Sequence, residues 1–222
     1  MIQMVAEESL HFLPQRALYW PREKMLVIAD IHFGKAAAFR ARGVPVPHGT
    51  TAQNLAALDA LLRQHEIAHI LFLGDFLHAK SARVPATLAA LQQWRAGHPE
   101  LQLTLVRGNH DLHAGDPPAD LRMQIVDEPY RVGAFTFCHH PEELPGAYVL
   151  AGHVHPAYRL TTRVDSLRLP CFLVGPRRAI LPSFGAFTGG HTITPQPDER
   201  ILLVTDEAVF AVPARRSGAA PP

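Results

Sequence analysis

Residues 101–111 read LQLTLVRGNHD, and this stretch decides the fold. Leu101 to Val106 are apolar or β-branched apart from Gln102, as in a strand buried in a core. The chain then places Gly108, Asn109, His110 and Asp111 in succession. Glycine, asparagine and aspartate suit a turn for backbone reasons alone, because they tolerate left-handed and Asx geometry. An amide, an imidazole and a carboxylate just past a strand also suit a ligand site, since open α/β sheets bind ligands at their carboxyl edge. The rest of the chain separates these readings.

Upstream, MLVIAD (25–30) and IAHILFLGD (67–75) are two more buried-strand patterns. Between them, TTAQNLAALDALLRQHE (50–66) carries Leu55, Leu58, Leu61 and Leu62 at helical spacing, with Thr50 or Thr51 as the candidate cap. PATLAALQQWRAG (85–97) predicts a second helix, with Pro85 near its start and Gly97 near its end. Alternating strands and helices predict a parallel sheet in the first half. After about residue 124 the pattern changes to short strands: QIVDEP, YRVGAFTFC, AYVLAG, AYRLTTRV, RLPCFLVG and ILLVTDEAVFAV. These predict a second, mostly antiparallel sheet packed on the first, giving a four-layer α/β/β/α sandwich. Residues 1–213 are expected to form one domain, with 214–222 a disordered tail.

The 222 residues are 47% hydrophobic and 18% charged, which predicts a folded core rather than disorder. No apolar run reaches the ~18–20 residues of a membrane span, and MIQMVAEESL has no signal-peptide pattern. Two cysteines, Cys138 and Cys171, are too few for a disulfide framework or a thiolate zinc site. These features predict a cytoplasmic protein with no membrane partner. A net charge of +1 does not advertise a nucleic-acid binder, so any polyanion contact must be local. The fourteen histidines are the anomaly, and imidazole is a common metal ligand.

Five apolar stretches end in ligand-type side chains. They end at Asp30 and His32, at Asp75, at Asn109 with His110 and Asp111, at His139 and His140, and at His153 with His155. Residues i and i+2 of an extended segment share a side, so Asp30 and His32 can face one pocket, as can His153 and His155. Gly74, Gly108 and Gly152 let backbone approach it. Each motif alone has a bland reading as cap, turn or core residue. Five in order, each at a strand end, point to metal. Seven groups exceed one ion's needs and suffice for two if a carboxylate bridges. Oxygen and imidazole donors without thiolate suit two divalent transition ions, manganese best, with iron or zinc as alternatives.

These blocks resemble the five signature blocks of the calcineurin-like metallophosphoesterase superfamily. The resemblance implies the same sandwich, with two mixed sheets flanked by helices, and a binuclear centre. It implies Asp30, His32, Asp75 and His155 at one ion and Asp75, Asn109, His139 and His153 at the other, with Asp75 bridging. ADIHFGKAAAFRARGVPVPHGTT, GDFLHAKS and ILPSFGAFTGG further resemble the ligase-associated DNA damage response endonuclease (PdeM) family. GDFLH is also similar to a block of SbcD-type repair nucleases, which implies that His78 touches a DNA backbone. The segment FLHAK lacks the second Asp or the Arg that many superfamily members carry after the bridging Asp. The resemblance implies a DNA endonuclease acting on single strands in repair, with a repair ligase or helicase as possible associate. The alternative is a small-molecule or phosphoprotein phosphoesterase with the same centre.

His110, next to Asn109, is the candidate general acid or transition-state stabiliser, and Asp111 its orienter. Arg107, like Arg40, Arg42, Lys80, Arg83, Arg177 and Arg178, sits in or near a loop and is a candidate phosphate contact. Phe33, Phe39, Phe184 and Phe187 are candidates either for base stacking or for the core.

Overall fold

The computed structural model describes residues 1–161 and 164–213. Its first sheet runs in chain order: β1 (Ile2–Val5), β2 (Glu8–Phe12), β3 (Leu18–Trp20), β4 (Met25–Ala29), β5 (His69–Leu73), β6 (Gln102–Val106) and β7 (Gln124–Val126). Strands β1 to β4 pair antiparallel and β4 to β7 parallel. The helices are α1 (Lys35–Arg40), α2 (Thr50–Gln64), α3 (Pro85–Gly97) and α4 (Asn109–Ala114). The second sheet holds β8 (Tyr130–Val132), β9 (Phe135–Cys138), β10 (Tyr148–Ala151), β11 (Pro156–Thr161), β12 (Ser166–Val174), β13 (Arg178–Ile180), β14 (His191–Thr192), β15 (Arg200–Val204) and β16 (Val209–Ala211).

The two-residue period of a strand sorts side chains between two cores. On β4, Met25, Val27 and Ala29 face the second sheet, where they meet Phe135, Phe137, Leu150 and Phe172. Leu26 and Ile28 face the helices, with Leu55, Leu58 and Leu61 of α2 and Leu91 of α3. The chain is thus an α/β sandwich of two mixed sheets, and its outer layers are unequal. Among the described residues, all four α-helices lie between residues 35 and 114. The outer face of the second sheet is covered, among the described residues, by Tyr158, Leu160, Ile193 and Val212 rather than by a helix.

Several local expectations need correction. Residues 124–126 extend the first sheet, parallel to β6, instead of opening the second. The N-terminal meander β1–β3 carries no strong alternation, and the packing of Leu10, Phe12, Leu18 and Trp20 into the inter-sheet core is what makes it sheet. ILLVTDEAVFAV is a hairpin, β15 and β16. Neither threonine caps α2; the cap is Gly49 at φ 83°. The tail 214–222 lies outside the described residues. In the second sheet, antiparallel pairings outnumber parallel ones, yet β9, β10 and β13 run parallel to one another. Parallel strands in both sheets therefore deliver their carboxyl ends to one edge.

The segment after β13 fastens the sheets together at that edge. Leu181 N–H donates to Ala151 O (2.8 Å) and Phe184 N–H to Ala29 O (2.9 Å). The Ser183 hydroxyl donates to Asp30 O (2.7 Å). Asn54, buried on α2, donates to Ile31 O (3.1 Å) and accepts from Ala186 N–H (2.9 Å). Asn54→Leu leaves the buried Ile31 carbonyl unpaired, at a cost of about 1–3 kcal/mol, and releases the Ala186 N–H to solvent. The expected loss in a thermal melt is ~2–4 °C per kcal/mol for a chain of this size. An unshifted melting curve would show that Asn54 does not hold the two loops together.

Candidate metal centre

Asp30 and His32 follow β4, Asp75 follows β5, Asn109 follows β6, His139 follows β9, and His153 and His155 follow β10. Ten described non-glycine residues have positive φ, and five of them are Asp30 (53°), His32 (49°), Asp75 (51°), His153 (69°) and His155 (50°). Left-handed backbone costs an L-residue about 1–3 kcal/mol, and it persists where the surroundings enforce it. Here it turns each side chain back over the sheet edge.

Asp30, His32, Asp75 and His155 come together with their ligand atoms within 4.8 Å of one another. His155 Nε2 is 3.4 Å from Asp30 Oδ1, and His32 Nε2 is 3.7 Å from Asp75 Oδ2. On the other side of Asp75, His139 Nε2 lies 3.6 Å from Asp75 Oδ1, 2.8 Å from Asn109 Oδ1 and 3.0 Å from His153 Nδ1. Donors sharing one ion at ~2.0–2.2 Å sit about 3–3.6 Å apart at tetrahedral or octahedral angles. The two groups match that spacing and meet at the Asp75 carboxylate.

The unpaired atoms point the same way. Asp30 Oδ1 and both ring nitrogens of His32 are buried without a hydrogen-bond partner. Their remaining contacts are arranged to leave them so: His153 N–H donates to Asp30 Oδ2 (2.9 Å), and His110 N–H to Asp75 Oδ1 (2.9 Å). His139 Nδ1 meets Leu73 O at 3.1 Å, which puts its proton there and leaves Nε2 a lone pair. Burial pushes the His32 imidazole far down, and burial followed by the neighbouring His139 and His140 lowers His153. Neutral imidazoles are what a metal requires. The residues fit a pair of divalent ions.

Glycines let the edges close. A Cβ on Gly74, itself at φ 73°, would lie 2.1 Å from His139 Nδ1. A Cβ on Gly152 would lie 2.7 Å from Asp30 Oδ2.

Two candidate roles change. Asp111 does not orient His110. Its Oδ1 accepts from Phe76 N–H (2.9 Å) and its Oδ2 from Gly108 N–H (2.9 Å), so it clamps the loops after β5 and β6 together. Burial pushes Asp111 up to about 6 against the pull of these donors. The His110 ring is held instead by its Nδ1 on His78 O (2.6 Å). Arg107 is committed to acids: Nε is 2.8 Å from Asp116 and Nη1 is 2.8 Å from Asp127. That double pairing leaves no free edge for substrate.

His78 sits closer to the centre than a distant backbone contact would. Its ring stacks on His110 (5.0 Å) and meets His32 edge-on (5.3 Å). Burial, then Lys35 and His110, lower it to about 4. His140 gives its Nδ1 to Glu128 (2.6 Å from Oε1), while its ring stays beside His139 and His153, with one ligand atom of each of the three within 4.8 Å of the others. Phe33 and Phe184 are buried in the core, whereas Phe39 and Phe187 pair at the rim beside His78.

Sequence reasoning missed two residues. Glu128 accepts N–H bonds from His139 (2.7 Å) and His140 (3.0 Å), fixing the loop that carries His139. Burial opposes its charge, but the His140 ring and these N–H donors prevail and lower it. The Lys35 ammonium is lowered by burial, with Asp75 and Asp30 pulling it back. Lys35 stands in the quoted DIHFGK; nothing in the local sequence marked Glu128.

A profile of the family described as "Calcineurin-like phosphoesterase" matches residues 23–150. Among solved structures, the chain is similar to the Pseudomonas putida nuclease MPE, at 43% identity and TM-score 0.85 over 96% of this chain and 99% of that one. The protein of unknown function AQ665 from Aquifex aeolicus matches at 18% identity and TM-score 0.41, over 59% and 78% of the two chains. A Vps29 double mutant from Entamoeba histolytica matches at 16% and 0.30, over 82% and 86%. No curated protein matches.

Two outcomes test the centre without any substrate. Manganese at 100 times its Kd should stabilise the protein by about 2.7 kcal/mol, and excess chelator should reverse the shift. Gly152→Ala should keep the native circular dichroism yet bind less metal by elemental analysis after dialysis; full metal content would refute the close approach to Asp30. A third concerns pH. The lowered histidines take protons in the unfolded chain before the native one, so the metal-free protein should lose stability as pH falls from 6.5 toward about 4. Urea titrations across that window check the sign.

Proposed function

The chain belongs to the calcineurin-like phosphoesterase family of metal-dependent hydrolases, and we propose that it is a nuclease cutting DNA internally, with single strands as substrate and DNA repair as its setting. The observation that carries this reading is the 43% identity with the nuclease MPE across nearly the full length of both chains. The rim supports it. Arg42, His78, Lys80 and His113 line an open cleft of about 430 Å³ that ends at Asn109 and His110, a basic approach to the centre. Phe39 and Phe187 stand beside it, half-buried, where unpaired bases can stack.

When bound, two divalent ions, of which manganese suits the nitrogen and oxygen donors best, supply charge neutralisation at the phosphoryl oxygens and a water of lowered pKa. Asp30, His32, Asp75 and His155 hold one, and Asp75, Asn109, His139 and His153 the other. His110, pinned through Nδ1 by the His78 carbonyl, turns its Nε2 edge to within 3.9 Å of Asp75 Oδ2 and so faces the phosphoryl position. As the P–O ester bond breaks, the His110 ring holds the proton that passes to the leaving oxygen. His78, stacked on that ring, sets its tilt and offers a second imidazole to the strand. Asp111 holds the loops that present Asp75 and Asn109. Lys35 adds fixed positive charge beneath the centre.

A substrate panel of circular single-stranded DNA, duplex plasmid, a cyclic nucleotide and a bis-aryl phosphate, each with and without manganese, tests the reading. The circle should be opened only with metal. Asp75→Ala should abolish turnover of every substrate, and His110→Gln should lower kcat by about 10²–10⁴-fold. Cleavage of the small esters with the circle left intact would replace the nuclease reading by that of a small-molecule phosphoesterase.

A further inference from the structure

A second cleft, of about 190 Å³, opens on the opposite flank of the centre, bounded by the ligand His155, by Arg16 and Arg168, and by Thr188. It shares no lining residue with the His78 cleft. No carboxylate lines it, although two guanidinium groups do.

Those groups are short of partners. Arg16 makes no ion pair within 4 Å among the described residues, and Asp206 acts on it only from a distance. Burial pushes its guanidinium down all the same. Taking a cation out of water without a counter-charge is unfavourable, and a bound anion removes the penalty. Arg168 has one hydrogen bond, a long one of 3.3 Å to Gly190 O, which leaves most of its fork free. Thr188 Oγ1 is buried and unpaired. One guanidinium without an ion pair, a second held by a single long hydrogen bond, and an unpaired hydroxyl are the donor set of a phosphate site. The carbonyls of Gly189 and Gly190, held by His155 Nδ1 (3.2 Å) and Arg168, face away from that role.

We propose that the Arg16–Arg168 cleft is a phosphate subsite that grips the backbone of a polynucleotide strand on the side of the scissile bond away from His78. It rests on the nuclease reading and extends it: the strand crosses the centre held at both flanks. The cleft, of about 190 Å³, has room for a phosphate group between the two guanidinium groups. Guanidinium and hydroxyl donors address the backbone phosphate and leave base identity unread. An internal phosphodiester and a terminal phosphate share this chemistry, and the proposal commits to the internal one.

The test compares wild type with Arg16→Gln, Arg168→Gln and the double variant, using the manganese-loaded enzyme. Substrates are circular single-stranded DNA, linear strands with and without terminal phosphate, and a bis-aryl phosphate. The double variant should lose about 10- to 100-fold in kcat/KM on the circle, with a much smaller change on the aryl ester. The slope of log(kcat/KM) against log salt should become shallower by about 1.4, two contacts at ~0.7 each. Arg168→Lys should restore part of the slope, which a merely structural role would not do. Equal losses on both substrate classes, an unchanged salt slope, or an effect confined to strands with a terminal phosphate would each overturn the proposal. A wild type that hydrolyses the aryl ester and never opens the circle would instead overturn the nuclease reading beneath it.

Discussion

Two carboxylates, Asp30 and Asp75, are buried within 4 Å of the imidazoles of His32, His110, His139 and His155 and have no arginine or lysine in ion-pair contact among the described residues. Isolated buried charge of that kind is unstable without cations. The left-handed ligands turn their side chains inward, and backbone N–H groups occupy one oxygen of each carboxylate while leaving the other open. Burial pushes His32 down, and burial with the neighbouring His139 and His140 lowers His153, so these two imidazoles resist the protonation that would balance the carboxylates. The cavity is built to be completed by metal.

That demand explains the contacts at the carboxyl edge. Each sheet contributes parallel strands there, and residues 181–187 cross between them, bonding to the Ala29–Ile31 segment and to Asn54. Glu128 fixes the His139 loop, and Asp111 ties the turn after β5 to the turn after β6. None of these groups is assigned to an ion. Each fixes the direction of a group that is, to the precision coordination requires.

In the function proposed above, substrate choice falls to a different set of residues. The centre accounts for phosphoester hydrolysis in general and is indifferent to what the ester joins. The His78 cleft with its aromatic rim and the Arg16–Arg168 cleft lie on either flank, on segments distinct from most of the ligand loops. Their chemistry, cationic and partly aromatic, is that of a groove for a flexible polyanion. The overall charge of +1 gave no hint of this, because local acids such as Asp116 and Asp127 offset basic residues outside the grooves.

The central strands, the helices α2 and α3 and the set of strand-end polar residues were legible in the sequence, because hydrophobic period and residue type are local properties. The direct neighbours Asn109, His110 and Asp111 show where that legibility ends. One faces His139, one stacks on His78, and one turns under the loop after β5. Their partners lie about thirty residues or more away, and only sheet register and the hand of each turn decide which is met. The same holds for Arg107, whose loop position suggested phosphate until the fold set two aspartates beside it. Strands β1–β3 are sheet through tertiary packing, without a strong local pattern. The amino-acid order determined the chemistry available at the strand ends; the crossing of two sheets determined which atoms face one another, because pairing between distant residues is fixed by packing that no local period encodes.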